Sequence, residues 1–201
     1  MMTPLRFLLA TSLAACLGAI APAAIAQNTQ SAQNNQEDPD TLVVSDTLSY
    51  DDIKKESVFT GNVVLTRGAM TLHSDRLTMR EDADGFQHGT ATVEGGKKVL
   101  LRQDNPEKFE VLEARGERAI YNGKTEEIEM IGKAIITRFI CGKPFDNIQG
   151  ERVVYKQKTE TYQAFGGPNS AAPGGRVRSL ATPRARADAA IAACRKQGSK
   201  N

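Results

Sequence analysis

The chain has 201 residues with a formal net charge of +2; 40% of them are hydrophobic, 5% are aromatic and none is Trp. That length suits one domain of ordinary size, and a nearly balanced charge argues against a nucleic-acid partner. The balance is uneven: from Gly166 onward there are seven Lys/Arg and one Asp, whereas residues 27–165 carry 18 basic and 23 acidic side chains.

Residues 1–26 read as an export signal. Arg6 supplies the positive charge, Phe7 to Ile20 the apolar region, and Ala24-Ile25-Ala26 a small-x-small site that places cleavage after Ala26. Pro22 interrupts the apolar run, which favours a cleaved signal over a membrane-spanning helix. Leu13-Ala14-Ala15-Cys16 is a rival processing site that would leave a lipidated Cys16. Residues 27–40 are polar, lack apolar periodicity and read as a disordered lead-in.

Residues 41–165 are dominated by short runs rich in Val, Ile, Thr and Tyr, cut by turn residues. Many short strands at close spacing predict an all-β, antiparallel fold. Asn122-Gly123 is the strongest hairpin signal, because both residues tolerate the positive φ of a type I′ turn. Residues 166–201 are basic, carry Gly-Gly-Pro and Pro-Gly-Gly, and read as a disordered tail, with a short-helix composition over Ala185–Lys196. Cys141 and Cys194 remain after processing; the sequence leaves open a bridge between them, free thiols or an intermolecular bond.

One phrase is written four times. GERAIY (116–121) and GERVVY (150–155) have weaker copies in SDTLSY (45–50) and SDRLTM (74–79). The second position is always acidic (Asp46, Asp75, Glu117, Glu151), the fourth is apolar, and the sixth is Tyr or Met. Positions two apart share one face of a strand, so each copy sets an acid, an aliphatic and a large side chain in a line. Gly61-Asn62-Val63-Val64 and Gly132-Lys133-Ala134-Ile135 lie 71 apart, as do Tyr50 and Tyr121, which predicts two related halves.

Ser45-Asp46-x-Leu48-x-Tyr50, Phe59-Thr60-Gly61-Asn62-Val63-Val64, Asp75-Arg76-Leu77, Gly116 to Tyr121, the half repeat at Gly132 and Asn147 to Tyr155 together resemble the OstA-like family, typified by lipopolysaccharide-transport protein A. The resemblance covers about 41–165. It implies a jelly-roll-like, twisted stack of antiparallel strands with an open hydrophobic groove, a periplasmic location, and lipopolysaccharide bound through its lipid A acyl chains. It further implies an inner-membrane export complex and an outer-membrane translocon as partners through edge strands, and head-to-tail self-association. The basic tail and Cys141 depart from the family pattern.

The candidate groove lining is Val43, Leu48, Tyr50, Val63, Leu65, Leu77, Met79, Val93, Ala119, Tyr121, Val153 and Tyr155; a closed hydrophobic core would look the same in sequence. The four acids read as parts of the repeat, pairing with Arg76, Arg118 or Arg152 or closing the rim, rather than as an acid–base pair. No catalytic residue and no cofactor is expected. His73, His88 and Cys141 lack tight ligand spacing, so no metal site is expected either. Two other readings are a membrane-tethered partner in the same transport system and a structural β oligomer that binds no lipid.

Overall fold

The computed structural model describes residues 39–198; the expected signal and most of the lead-in lie outside the described residues. Twelve strands follow in order: β1 (Thr41–Val44), β2 (Thr47–Asp51), β3 (Glu56–Arg67), β4 (Met70–Glu81), β5 (Gln87–Thr92), β6 (Val99–Asn105), β7 (Glu110–Gly116), β8 (Arg118–Asn122), β9 (Glu127–Ile140), β10 (Lys143–Lys156), β11 (Thr161–Phe165) and β12 (Arg178–Leu180). One helix, α1 (Arg184–Gly198), ends the described chain. Every strand pairing is antiparallel.

The long strands β3, β4, β9 and β10 each belong to two layers. One layer runs β1, the second half of β3, the first half of β4, β6, β7, the second half of β9, the first half of β10, and β12. The other runs β2, the first half of β3, the second half of β4, β5, β8, the first half of β9, the second half of β10, and β11. The layers meet along a line of corners where the long strands bend, and this line is the vertex of a V.

The repeated phrase builds that vertex. β3 breaks register between Thr60 and Val63, with Gly61 and Asn62 at φ 82° and 46°. β9 bends at Gly132 and Lys133, at φ 76° and 46°. A side chain at Gly61 would collide with the Asp46 carboxylate, and one at Gly132 with that of Glu117. Asp46 N–H donates to the Gly61 carbonyl at 2.9 Å, and its carboxylate accepts from Asn62 Nδ2 at 3.0 Å. Glu117 N–H donates to the Ile131 and Gly132 carbonyls at 2.8 and 3.0 Å. Each acid therefore caps a corner where bent backbone leaves groups without ladder partners.

The first position of the phrase is small because another backbone crosses it. A Cβ at Gly116 or Gly150 would press on the carbonyl of Ile131 or Phe165. The expected Arg partners are not the ones used. Asp75 accepts from Glu94 N–H at 2.8 Å and Lys97 Nζ at 3.0 Å, Glu117 meets Lys98 and Lys133, and Arg152 pairs with Glu129.

Two local expectations differ from the structure. β8 and β9 do form a hairpin, but its positive φ falls on Glu126, while Asn122 Oδ1 accepts from the N–H groups of Lys124 and Thr125. The Asn acts as an Asx-turn acceptor in a longer loop. The segment after 165, expected as a disordered tail, is built into the fold. Asn169 Nδ2 donates to Glu117 at 2.8 Å and its N–H donates to Glu151 at 3.1 Å, which ties two corners together. β12 pairs with β10, Ala172 and Ala187 are buried, and a disulfide joins Cys141 to Cys194 on α1. Composition predicted an untethered segment here; partners distant in sequence order it.

Candidate hydrophobic groove

Within the V, alternate side chains of both layers face inward. The pairing register arranges them in rows. One step out from Val63, Val99 and Ala134, which are buried beside the vertex, one layer contributes Val43, Leu65, Leu72, Leu101, Ala114, Ile136 and Ile148. The other contributes Leu48, Phe59, Leu77, Ala91, Ala119, Met130, Val153 and Ala164. One step nearer the mouth, the second layer presents Tyr50, Ser57, Met79, Gly89, Tyr121, Ile128, Tyr155 and Tyr162. In each copy of the phrase the acid thus sits at the corner, the aliphatic beside it and the large side chain toward the mouth.

Over the first half of the molecule the layers stand apart and enclose a cavity of about 1050 Å³, partly open to solvent. Of the twelve predicted lining residues, Val43, Leu65, Leu77, Met79, Ala119 and Tyr121 line it. Phe59, Met70, Leu72, Ala91, Leu101 and Ile128 join them and escaped the sequence reading. Their signal was available, since each continues the alternation of a strand already recognised. Arg67, Gln103 and Glu126 lie among the lining residues, so the wall is mainly but not wholly apolar.

The other six predicted residues lie elsewhere. Val63 is buried in the core and Val93 packs against it, both beside the vertex. Leu48 and Tyr50 lie on β2, the last strand of its layer, and remain 59% and 58% exposed. Val153 is fully buried, and Tyr155 stacks on Tyr162 with ring centroids 4.6 Å apart. Both stand in the second half, where Met130, Ile136 and Val153 are buried and the cavity takes no residue from β10 or β11.

Each layer ends in strands with no neighbour beyond them among the described residues: β1 and β2 at one end, β12 and β11 at the other. Apolar side chains are exposed at both ends, Leu42 and Val44 on β1, Leu48 and Tyr50 on β2, Phe165 on β11 and Leu180 on β12. Asp75 is held below the usual carboxylate range by the Glu94 N–H and Lys97, and Glu117 by Asn169 and then, against burial, by Lys133 and Lys98. Among the described residues no group of His, Cys, Asp and Glu is placed to hold a metal, and His88 instead contacts Asp82 at 2.8 Å.

A family model described as LptA/(LptD N-terminal domain) LPS transport protein matches residues 42–161. The chain belongs to this family. The crystal structure of LptH from Pseudomonas aeruginosa shares the fold, with a TM-score of 0.60 and 23% identity over 72% of this chain and 96% of that one. LptH is described as the LptA-homologous periplasmic component of the conserved lipopolysaccharide transport device. No curated protein sequence matches significantly. The match to the LPS transport family spans both halves of the repeat and reaches into β11; β12 and α1 lie beyond it. No described helix is long and apolar enough to cross a membrane.

Proposed function

We propose that the protein is a periplasmic lipopolysaccharide carrier that shields lipid A acyl chains in its groove and bridges inner-membrane and outer-membrane export complexes. The carrying observation is the open cavity of about 1050 Å³ between two apolar layers. Exposing a twelve-carbon acyl chain to water costs on the order of 10 kcal/mol at about 0.8 kcal/mol per CH₂. A carrier needs apolar surface rather than reactive chemistry, and Leu65, Leu77, Met79 and Tyr121 provide it here. The edge strands β1 and β2 at one end, and β11 and β12 at the other, offer backbone groups to neighbours, a heterologous contact that can propagate head to tail.

Site-specific photocrosslinking tests this reading. Photoreactive residues at Leu65, Met79 and Tyr121 are expected to label lipopolysaccharide, whereas Val64 and Thr78, on the opposite face of the same strands, are not. Folded variants that label at neither set would leave a structural stack that carries no lipid. Sedimentation over a range of concentrations tests the edges: a monomer at every concentration would remove self-association.

A further inference from the structure

The two halves of the groove share an apolar floor and differ at the rim. In the second half the floor is Ala114, Ile136 and Ile148 on one layer and Met130, Val153 and Ala164 on the other. Above it the register places Leu112 opposite Arg138 and Arg138 opposite Asp146, with Glu110 one step nearer the rim. Arg138 donates to Asp146 through Nε at 2.7 Å and to Glu110 through Nη1 at 2.6 Å. The facing layer ends the same row with the stacked rings of Tyr155 and Tyr162. Burial pushes the Tyr162 phenol well above its ordinary range, and Tyr155 and Glu160 push it the same way.

The C-terminal segment straps this arrangement. Thr182 N–H donates to Asp146 at 2.6 Å and its hydroxyl donates to the Phe145 carbonyl at 2.7 Å. α1 follows, and its Cys194 is bonded to Cys141, three residues beyond Arg138. The chain from Thr182 to Cys194 is thus fixed at both ends to the β9–β10 hairpin that carries Arg138 and Asp146. The cavity takes no residue from β10 or β11, and only Ile128 from β9.

We infer that Glu110, Arg138 and Asp146, facing Tyr155 and Tyr162, form a latch that closes the C-terminal half of the groove to acyl chains. The inference rests on the reading of the open cavity as an acyl site. The acyl-accessible groove then ends near Ile128, and an acyl chain reaches the C-terminal edge only when the latch parts. Apolar residues of similar volume often stabilise an interior as well as an ion cluster does, so what the charges add at this row is selectivity. An acyl chain entering it strips partners from a half-buried ion cluster, whereas the row at the same level in the first half holds Met70 and Met79 beside Arg67 and Gln103 and lines an open cavity.

A long-chain fatty acid with a terminal diazirine, irradiated with the full-length protein and mapped by peptide mass spectrometry, tests the latch. Adducts are expected on β3, β4 and β8, with those on β10 and β11 fewer by about tenfold or more, a ratio matching roughly two CH₂ groups left in water. The triple variant Glu110→Gln, Arg138→Met, Asp146→Asn is expected to raise labelling of β10 and β11 to the level of β4. If it fails to fold, Cys141→Ser with Cys194→Ser releases the strap and carries the same expectation. Equal labelling of β4 and β10 in the unaltered protein, no labelling anywhere, or no rise in a folded variant would each overturn the latch. Added lipopolysaccharide is expected to suppress the β4 adducts. If it does not, while the fatty acid still avoids β10, the cargo assignment fails and the latch stands.

Discussion

The first and second halves of this molecule use the same corners and reach opposite interiors. Gly61 under Asp46 and Gly132 under Glu117 bend equivalent strands in the same way. Yet the open cavity lies among β1, β3, β4, β5, β6 and β8, and takes only Ile128 from β9 and nothing from β10 to β12. Backbone geometry therefore fixes the V, and side-chain packing fixes how wide it opens. In the second half Met130, Ile136 and Val153 are buried, Glu110, Arg138 and Asp146 pair along one layer, and a disulfide ties α1 to Cys141 after β9. The first half has the cavity instead, and its terminal strands expose Leu48 and Tyr50 to solvent.

Two methionines test this contrast most strongly. Met130→Ala in the closed half should cost about 3 kcal/mol, as large-to-small changes in packed cores do. Met79→Ala, facing a space already open, should cost under about 1 kcal/mol, because it creates little new cavity. Equal shifts in urea midpoint would mean that the halves are packed alike. Next, Cys194→Ser should lower stability by about 4 kcal/mol without reductant, since the bond closes a 53-residue separation. A smaller change would show that the strap contributes little to folding of the closed half.

The corners should behave identically in the two halves. Gly61→Ala and Gly132→Ala each force a side chain into positive φ and into a carboxylate, at a cost of about 1–3 kcal/mol. A tolerated change at one site alone would break the equivalence of the repeat. The smallest effect is electrostatic and confined to the second half. Burial pushes the Asp146 carboxyl up, but the Thr182 N–H and Arg138 more than offset this and leave it below the ordinary range. A depressed carboxyl contributes stability that is present above its unfolded value, about 3.9, and lost as pH falls through the folded value. Asp146→Asn should therefore flatten the decline in urea midpoint below about pH 4. An unchanged profile would show that Asp146 does not couple folding to acid.

Much of the V was legible because it is local. Alternation along SDRLTM and GERAIY places Leu77 and Ala119 beside the vertex and Met79 and Tyr121 toward the mouth, and the 71-residue offset marks the equivalent bends. What escaped the sequence depends on partners distant along the chain. Val153 and Tyr155 continue the same alternation as Leu77 and Met79, and nothing in their own strand says that the facing layer closes on them. The segment after 165 has the composition of a loose tail, but Asn169 bonds to Glu117 across 52 positions and Thr182 to Asp146 across 36. Asn122-Gly123 signalled a hairpin correctly and its turn type wrongly, because the Asn side chain supplied an acceptor that a two-residue turn does not require.

The two layers also set a length. Each runs through eight strands, or strand halves, from a β1–β2 end to a β11–β12 end. At about 4.8 Å between neighbouring strands, seven steps make a stack roughly 34 Å long. That is only slightly more than the hydrocarbon thickness of one bilayer, about 30 Å. The reach of a single chain is therefore fixed by the number of strands in its layers, and each further strand would lengthen it by only about 4.8 Å.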